Sequence, residues 1–498
     1  MKRQLFLAMD LGTTNSKGAL ISTEGVSIAS ASRRHTVSHP HPGWAEHDAE
    51  AVWWAEFVSI CRELLDTPGV SKDEILAVGI STLTPAVLPV DKDFRPLRPA
   101  MLYGLDTRAT QEIADLNEIL GPQYSYHENM HPIEPKSPAP KILWLRRHEP
   151  EVFQKTAYFV GAPTYLVHRL TGQVVADYAC YKLAGFPFSL RSFGWDENVC
   201  KACGISVSQL PVLKFATELA GTITREAAQA TGLPEGAAVA VGTGDYPADS
   251  LSYGTQFLGL PKISYGSCVG VNNGNDPAAI LFPDYETDWA MEAVPGGSMS
   301  NGCATIDWMI SLLSGHGQNT RIPDVELERM ANAVPAGANG IIMLPYFNGE
   351  KVPIADPKAC GMLYGLRMGH THADLYKAAL ESIGYAVRHI LSLKPDITRR
   401  EAFVVGGGTR MPMLLQTVSD VTGFRQIALS SYNGSLLGDA FLAGVACGVF
   451  QKRDEINRWV TTKAPYEPRP ELKEIYDRQF EIYLELYRAN AHIMAGKG

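Results

Sequence analysis

The chain has 498 residues, of which 45% are hydrophobic and 19% charged, with a formal net charge of −9. That length exceeds one ordinary core and predicts two domains. The acidic balance argues against a nucleic-acid surface, because phosphate neutralisation needs clustered Lys and Arg, and leaves only a local basic patch open.

A signal peptide is not expected, because Asp10 cuts the first apolar run short. No stretch approaches the ~20 apolar residues of a membrane helix, so no membrane association is expected. Eight cysteines are scattered along the chain, and only Cys200 and Cys203 form a CxxC. With no second pair they read as reduced thiols of a cytoplasmic protein. A redox or metal element is the other reading of that pair.

In chain order, residues 5–9 form an apolar run, a donor-rich turn follows, and 17–22 extend again. This reads as strand, turn, strand. Helical periodicity marks 49–65, 375–393 and 471–492. Residues 262–274 repeat the strand–turn–strand character of the opening, which predicts two related halves. A strand at 402–405 leads into three glycines, with helices at 414–422 and 435–444. Such alternation predicts α/β layers. The domains are expected at 1–250 and 251–498, with the boundary in the Gly- and Ser-containing stretch 245–254.

Four motifs carry chemistry. The first is Asp10-Leu-Gly12-Thr13-Thr14-Asn15-Ser16-Lys17. A transferring phosphoryl group needs donors around its oxygens and a metal to spread its charge. Turn amides, Thr hydroxyls and Lys17 supply donors, and Asp10 suits Mg²⁺ held through water. This is not the Walker pattern, and a plain polar turn is the bland alternative. The second is Gly242-Thr243-Gly244-Asp245. After the apolar run 237–241, a carboxylate in a Gly turn reaches a cleft, where it accepts a hydroxyl proton. Asp245 also suits a helix start. The third, Gly406-Gly407-Gly408, lets backbone approach a nucleotide; a tight turn is its alternative. The fourth pairs Gly43-Trp44-Ala-Glu46 with Asp106-Thr107-Arg108. An aromatic face, carboxylates and a guanidinium suit a polyhydroxylated ligand, although packing and ion pairing explain each singly.

The order of these pieces resembles the FGGY family of carbohydrate kinases over nearly the whole chain. Gly43-Trp44-Ala-Glu46-His-Asp48 looks like a family segment, and Lys141-Ile-Leu-Trp144-Leu-Arg-Arg-His matches its first signature from the Lys on. Gly361-Met-Leu-Tyr-Gly365-Leu366 with Asp374-Leu-Tyr-Lys-Ala378-Ala-Leu-Glu381 fits the second. Gly406–Gly408, Gln416, Asp420 and Leu437-Gly438-Asp-Ala440 look like its adenosine motif.

The resemblance implies two ribonuclease-H-like domains, as in actin and Hsp70-type ATPases, around a central cleft. The first domain would hold the sugar and the second the nucleotide. It implies ATP and Mg²⁺ as cofactors and direct transfer of the γ-phosphoryl to a sugar hydroxyl. Asp245 then corresponds to the base and Asp10 to the Mg²⁺-linked acid. Gly12, Thr13, Thr14, Asn15 and Lys17 correspond to the first phosphate motif, Gly266 and Ser267 to the second, and Gly407 and Gly408 to the nucleotide glycines. Trp44, Thr82, Asp106, Arg108 and Asp245 correspond to the substrate side. Departures fall on the sugar side: Gly104 precedes Leu105 where many ketose kinases have Trp, and Ser81-Thr82-Leu83-Thr84-Pro85 replaces Gln-Met-His. Cys303 also stands where glycerol kinases have Gly.

The substrate implied is a ketose such as a pentulose, with glycerol, another polyol or a sugar acid as alternatives. Of another class are an actin- or Hsp70-like ATPase and a weakly catalytic sugar sensor. Many relatives are dimers, which leaves a homodimer open.

Overall fold

The apolar run that reaches Asp10 becomes β1 (Leu5–Leu11), buried along its whole length. It turns into β2 (Asn15–Ser22) and then β3 (Ser27–Arg34), with Asp10 opposite Lys17 across the hairpin. The structure is a computed structural model that describes residues 3–121, 123–129, 132–257, 259–272, 278–284, 297–314, 322–393, 399–430 and 434–496.

Four further strands complete the first sheet: β4 (Ile75–Thr82), β5 (Leu219–Thr222), β6 (Ala238–Ala240) and β7 (Thr243–Gly244). Their order is β5-β6-β4-β1-β2-β3, with β7 also against β4. The pairs β1–β4, β4–β6 and β4–β7 are parallel. A second sheet holds β8 (Lys262–Tyr265), β9 (Val269–Asn272), β10 (Gly297–Ser298), β11 (Glu401–Val405) and β12 (Arg425–Ala428). Its order, β10-β9-β8-β11-β12, repeats the first: three antiparallel strands, then parallel strands on the side of the leading one. The two halves read from the sequence therefore share one topology, that of ribonuclease-H-like ATPases. Residues 273–274 of the second expected hairpin lie outside the described residues.

The main helices, in chain order, are α1 (Ala55–Leu65), α2 (Asp245–Leu251), α3 (His372–Leu391), α4 (Pro412–Thr422), α5 (Ser435–Ala446) and α6 (Lys473–Ala495). Residues 49–65 are not one regular helix. A π-helical turn, Ala49–Trp54, precedes α1 and is capped by Asp48, whose carboxylate accepts from the Glu50 and Ala51 amides at 2.9 and 2.8 Å. Such a turn takes up one more residue than an α-turn and so rotates the face that α1 presents. Pro412 opens α4, and Gly423, at φ 71°, closes it.

The first sheet is covered on both faces. Leu5, Leu7 and Met9 share a core with Phe57, Ile60 and Leu64 of α1. Phe6 and Ala8, pointing the other way, share a core with Leu437, Ala440 and Phe441 of α5. Successive strand side chains alternate faces, so one uniformly apolar strand feeds two cores.

The chain forms two compact units. One comprises Met1–Gln256, Asp276–Glu292 and Asn433–Val460; the other comprises Phe257–Asn275, Ala293–Tyr432 and Thr461–Gly498. The boundary expected at residue 250 compares with Gln256, and two stretches expected in the second half belong to the first unit. The reason is α5, whose apolar face packs on β1 and β4. Among the described residues, no helix is long and apolar enough to cross a membrane.

Candidate active site

In the first unit the parallel strands β1, β4 and β7 end side by side. Leu11 pairs with Thr82, and Gly244 pairs with Thr82 from the other edge. Ligands in open α/β sheets gather outside such carboxyl ends. Here the β1–β2 turn, Thr82 and Asp245 come together. Within the turn Gly12 donates to the Asn15 carbonyl at 3.1 Å. Thr13 meets the Tyr103 hydroxyl at 3.0 Å. Thr14 and Lys17 are exposed. Asn15 and Lys17 line a cavity of about 540 Å³ with Ser30, Ser32 and Leu436. Thr82 is fully buried, and its hydroxyl donates to the Leu83 carbonyl at 3.0 Å.

Three carboxyls converge beside this turn. Asp10 is 9% exposed, and its Oδ1 has no partner among the described residues. Burial raises its pKa against the opposing pull of Ser435, Lys17 and Ser81. Asp245 opens to solvent at the first position of α2, yet protein crowds its carboxyl. That crowding first, and the charge of Asp10 second, push it up to about 6. Asp439 is fully buried on α5 and accepts from the Ser81 hydroxyl at 2.8 Å. Burial, then the charge of Asp10, raise its carboxyl well above the usual carboxylate range.

Glycines bring Asp439 there. A β-carbon on Gly438 would lie 2.0 Å from the Ala248 carbonyl oxygen of α2. Behind Asp245, Thr243 donates to Asp177 at 2.8 Å. Asp177 also caps the short helix Tyr178–Ala184, and burial raises its carboxyl to about 6. Among the described residues no group of three or more His, Cys, Asp or Glu is placed to hold a metal by itself.

Asp106 and Arg108 are paired with each other. The Arg108 Nη2 lies 2.6 Å from Asp106 and 2.7 Å from Glu46, with its side chain 1% exposed. Glu46 also binds Arg98. The Arg108 guanidinium sits 3.7 Å above the Trp44 ring, and Trp44 meets Trp144 edge-on at 5.3 Å. Lys141 is buried beside this cluster, and burial lowers its pKa to about 8.

In the second unit, two turns meet at one end of the sheet. Gly266, Ser267 and Cys268 form the exposed turn between β8 and β9. Gly406–Gly408 follow β11, which pairs with β8. Gly406 has φ 94°, and its missing side chain admits the Tyr265 carbonyl. A β-carbon on Gly408 would lie 2.9 Å from the Cys303 sulfur, whereas one on Gly407 meets nothing within 4 Å. Gln416 and Asp420 of α4 bind each other at 3.0 Å, and Asp420 pairs with Arg469 at 2.6 Å. Both are thus engaged internally. All eight cysteines are unpaired; Cys200 and Cys203 are buried, and burial pushes the Cys200 thiol up to about 12.

Sequence reading placed Asp10, Thr13, Lys17 and Asp245 in one site and did not single out Ser81, Asp177 or Asp439. Leu437-Gly438-Asp-Ala440 carried a usable signal: small residues on a helix mark close packing. The structure puts that motif in the first unit.

Residues 5–251 match the N-terminal domain of the FGGY family of carbohydrate kinases, and residues 263–447 match its C-terminal domain. The chain is 28% identical to the xylulose kinase of Escherichia coli (strain K12), over 99% of this chain and 100% of that one. It is 28% identical to the glycerol kinase of Shewanella sp. (strain W3-18-1), over 92% and 93%. The solved xylulose kinase of Rhodospirillum rubrum superposes with a TM-score of 0.81 at 28% identity, covering 99% of this chain and 100% of that one. The chain belongs to the FGGY family of carbohydrate kinases, phosphotransferases that use ATP to phosphorylate an alcohol group of a small sugar.

Proposed function

We propose that this kinase phosphorylates a pentulose, with Asp245 as the base that takes the hydroxyl proton. The observation that carries the reading is Asp245 itself. It is a solvent-open carboxylate pushed up to about 6 at the strand ends that also present the β1–β2 turn. A base works best with its pKa near the operating pH. As the sugar oxygen bonds to the γ-phosphorus and the bond to ADP breaks, the proton passes to Asp245 Oδ and later to water. Gly12, Thr13, Thr14, Asn15 and Lys17 hold the β- and γ-phosphates on one side. Gly266, Ser267, Gly407 and Gly408 approach the nucleotide by backbone.

Asp10 would hold Mg²⁺ through water. A buried carboxylate oxygen without a protein partner suits that ion, which keeps several waters. When bound, Mg²⁺ neutralises phosphate charge. Trp44, Asp106 and Arg108 form a rigid wall on the sugar side, and Arg108 Nη1, buried without a partner among the described residues, has a donor to spare. Thr82 contributes backbone there, since its side chain is buried. ATP use and eight free thiols support a cytoplasmic setting.

Pentulose is favoured by the xylulose kinase relatives. Glycerol or another polyol is the second reading, favoured by the glycerol kinase relatives. The test is a coupled ADP-release screen of xylulose, ribulose, hexuloses, pentitols, glycerol and sugar acids with Mg²⁺-ATP. A pentulose turned over far faster than the rest, and lost in Asp245→Ala, is the expected result. A strong glycerol signal would replace the pentulose reading. Turnover surviving in Asp245→Ala would remove the base assignment.

A further inference from the structure

The β1–β2 turn is braced from behind by a buried histidine that the phosphotransfer reading does not use. His35 follows β3, and its backbone N–H donates to the Thr14 carbonyl at 3.1 Å. Its ring Nε2 lies 3.2 Å from the Gly12 carbonyl oxygen, and its Nδ1 lies 3.0 Å from Glu56 Oε2. The His35 side chain is 6% exposed and that of Glu56 14%. Ser16, the residue after Asn15 of the same turn, donates to the same Glu56 oxygen at 2.6 Å. Glu56 stands in the first turn of α1, where the π-helical turn before it sets the face α1 presents.

The proton count of this arrangement is informative. A carbonyl oxygen accepts only, and so does an ionised carboxylate. A neutral imidazole has one donor and one acceptor nitrogen. The Gly12 carbonyl can only accept, so its contact with the ring is a hydrogen bond donated by Nε2–H. The neighbouring His47 ring meets His35 edge-on at 5.0 Å and stays neutral, burial first and His35 second lowering it to about 4. The Trp53 indole donates to its Nδ1 at 3.2 Å.

The peptide bond turns this anchor into aim. In a trans peptide the C=O of one residue and the N–H of the next point in opposite directions. Pulling the Gly12 carbonyl back toward His35 therefore directs the Thr13 N–H forward, out of the turn. We propose that His35, clamped by Glu56, is a positioning residue that aims the Thr13 amide at the nucleotide phosphates. The inference rests on the reading of this turn as a phosphate cradle. His35 touches neither nucleotide nor sugar; it acts through the backbone.

The geometry also dictates which replacement works. A glutamine amide reaches the place of Nε2 and keeps the donor to Gly12. An asparagine amide reaches the place of Nδ1 and keeps only the contact to Glu56. The experiment compares His35→Gln, His35→Asn and Lys17→Ala in the full chain. It measures KM for ATP, KM for the sugar that the screen selects, and the inhibition constant of AMP, which lacks β- and γ-phosphates. His35→Asn is expected to raise KM for ATP about tenfold, the worth of one lost hydrogen bond. His35→Gln should stay within about threefold of the parent by the same measure. The sugar KM and the AMP constant should not move in either.

Equal values for the Gln and Asn variants would overturn the inference. So would a parallel rise in both KM values, which marks general loosening. If Lys17→Ala raises KM for ATP while His35→Asn does not, this inference alone falls. If neither variant changes KM for ATP, the phosphate-cradle reading falls and takes the inference with it.

Discussion

Asp439 and Gly79 meet backbone to backbone: a β-carbon on Gly79 would stand 1.9 Å from the Asp439 carbonyl oxygen. The helix α5 thus lies directly on β4, which lets Asp439 accept from Ser81 and lets Ser435 face Asp10. Gly438 does the same for α2. Gly79→Ala and Gly438→Ala should each cost about 1–3 kcal/mol or more, because backbone rather than a flexible side chain must move. Thermal melting should show the loss. A drop in kcat larger than the loss of folded protein should accompany it, since α5 and α2 frame Asp10 and Asp245. A variant with parental melting and turnover would show that the helix shifts freely.

What the sequence made legible was local. Strands joined by a tight turn pair with each other, so residues 5–22 could be read directly. A carboxylate after a strand and a Gly turn announces itself, as Asp245 did. Asp439 did not, because its partner Ser81 is 358 residues away and nothing near α5 says which sheet it joins. Asp106 and Arg108 suited a ligand and an ion pair equally in the sequence, and the structure shows the pair. The His35–Glu56 contact depends on the π-helical turn before α1, where periodicity alone predicted regular helix.

Gly407 offers the opposite case to Gly79. Its β-carbon would meet nothing within 4 Å, so Gly407→Ala should leave the melting temperature unchanged. If the backbone there approaches a nucleotide, the added methyl occupies that approach, and KM for ATP should rise with the sugar KM constant. Unchanged KM for ATP would move the nucleotide away from this turn.

The raised carboxyl of Asp245 sets a pH dependence. Its protonated form cannot accept a proton, so kcat/KM should climb with unit slope as pH rises to about 6 and then level. Asp245→Asn should lose about 10²–10⁴-fold in kcat with KM for ATP little changed. The stability sign is the reverse of a salt-bridged carboxylate. Unfolded, the group titrates near about 3.9, so the folded state holds its proton longer. Ionisation then costs stability as pH rises between the two values, and the cost persists above them. The Asn variant should therefore melt no lower than the parent at pH 8, with any advantage gone in acid.

Arg108 separates scaffold from sugar contact. It is fork-bonded to Asp106, shares Glu46 with Arg98 and lies on the Trp44 face. Breaking such a buried pair by removing one partner costs about 3–5 kcal/mol, so Arg108→Met should melt well below the parent. Arg108→Lys keeps the charge but not the fork, and should fall between. If Arg108 Nη1 also donates to a sugar hydroxyl, Arg108→Lys should raise the sugar KM with KM for ATP unchanged. A lowered melting temperature with both KM values intact would make the Glu46–Arg108–Asp106 cluster a wall alone, leaving hydroxyl recognition to groups nearer Asp245.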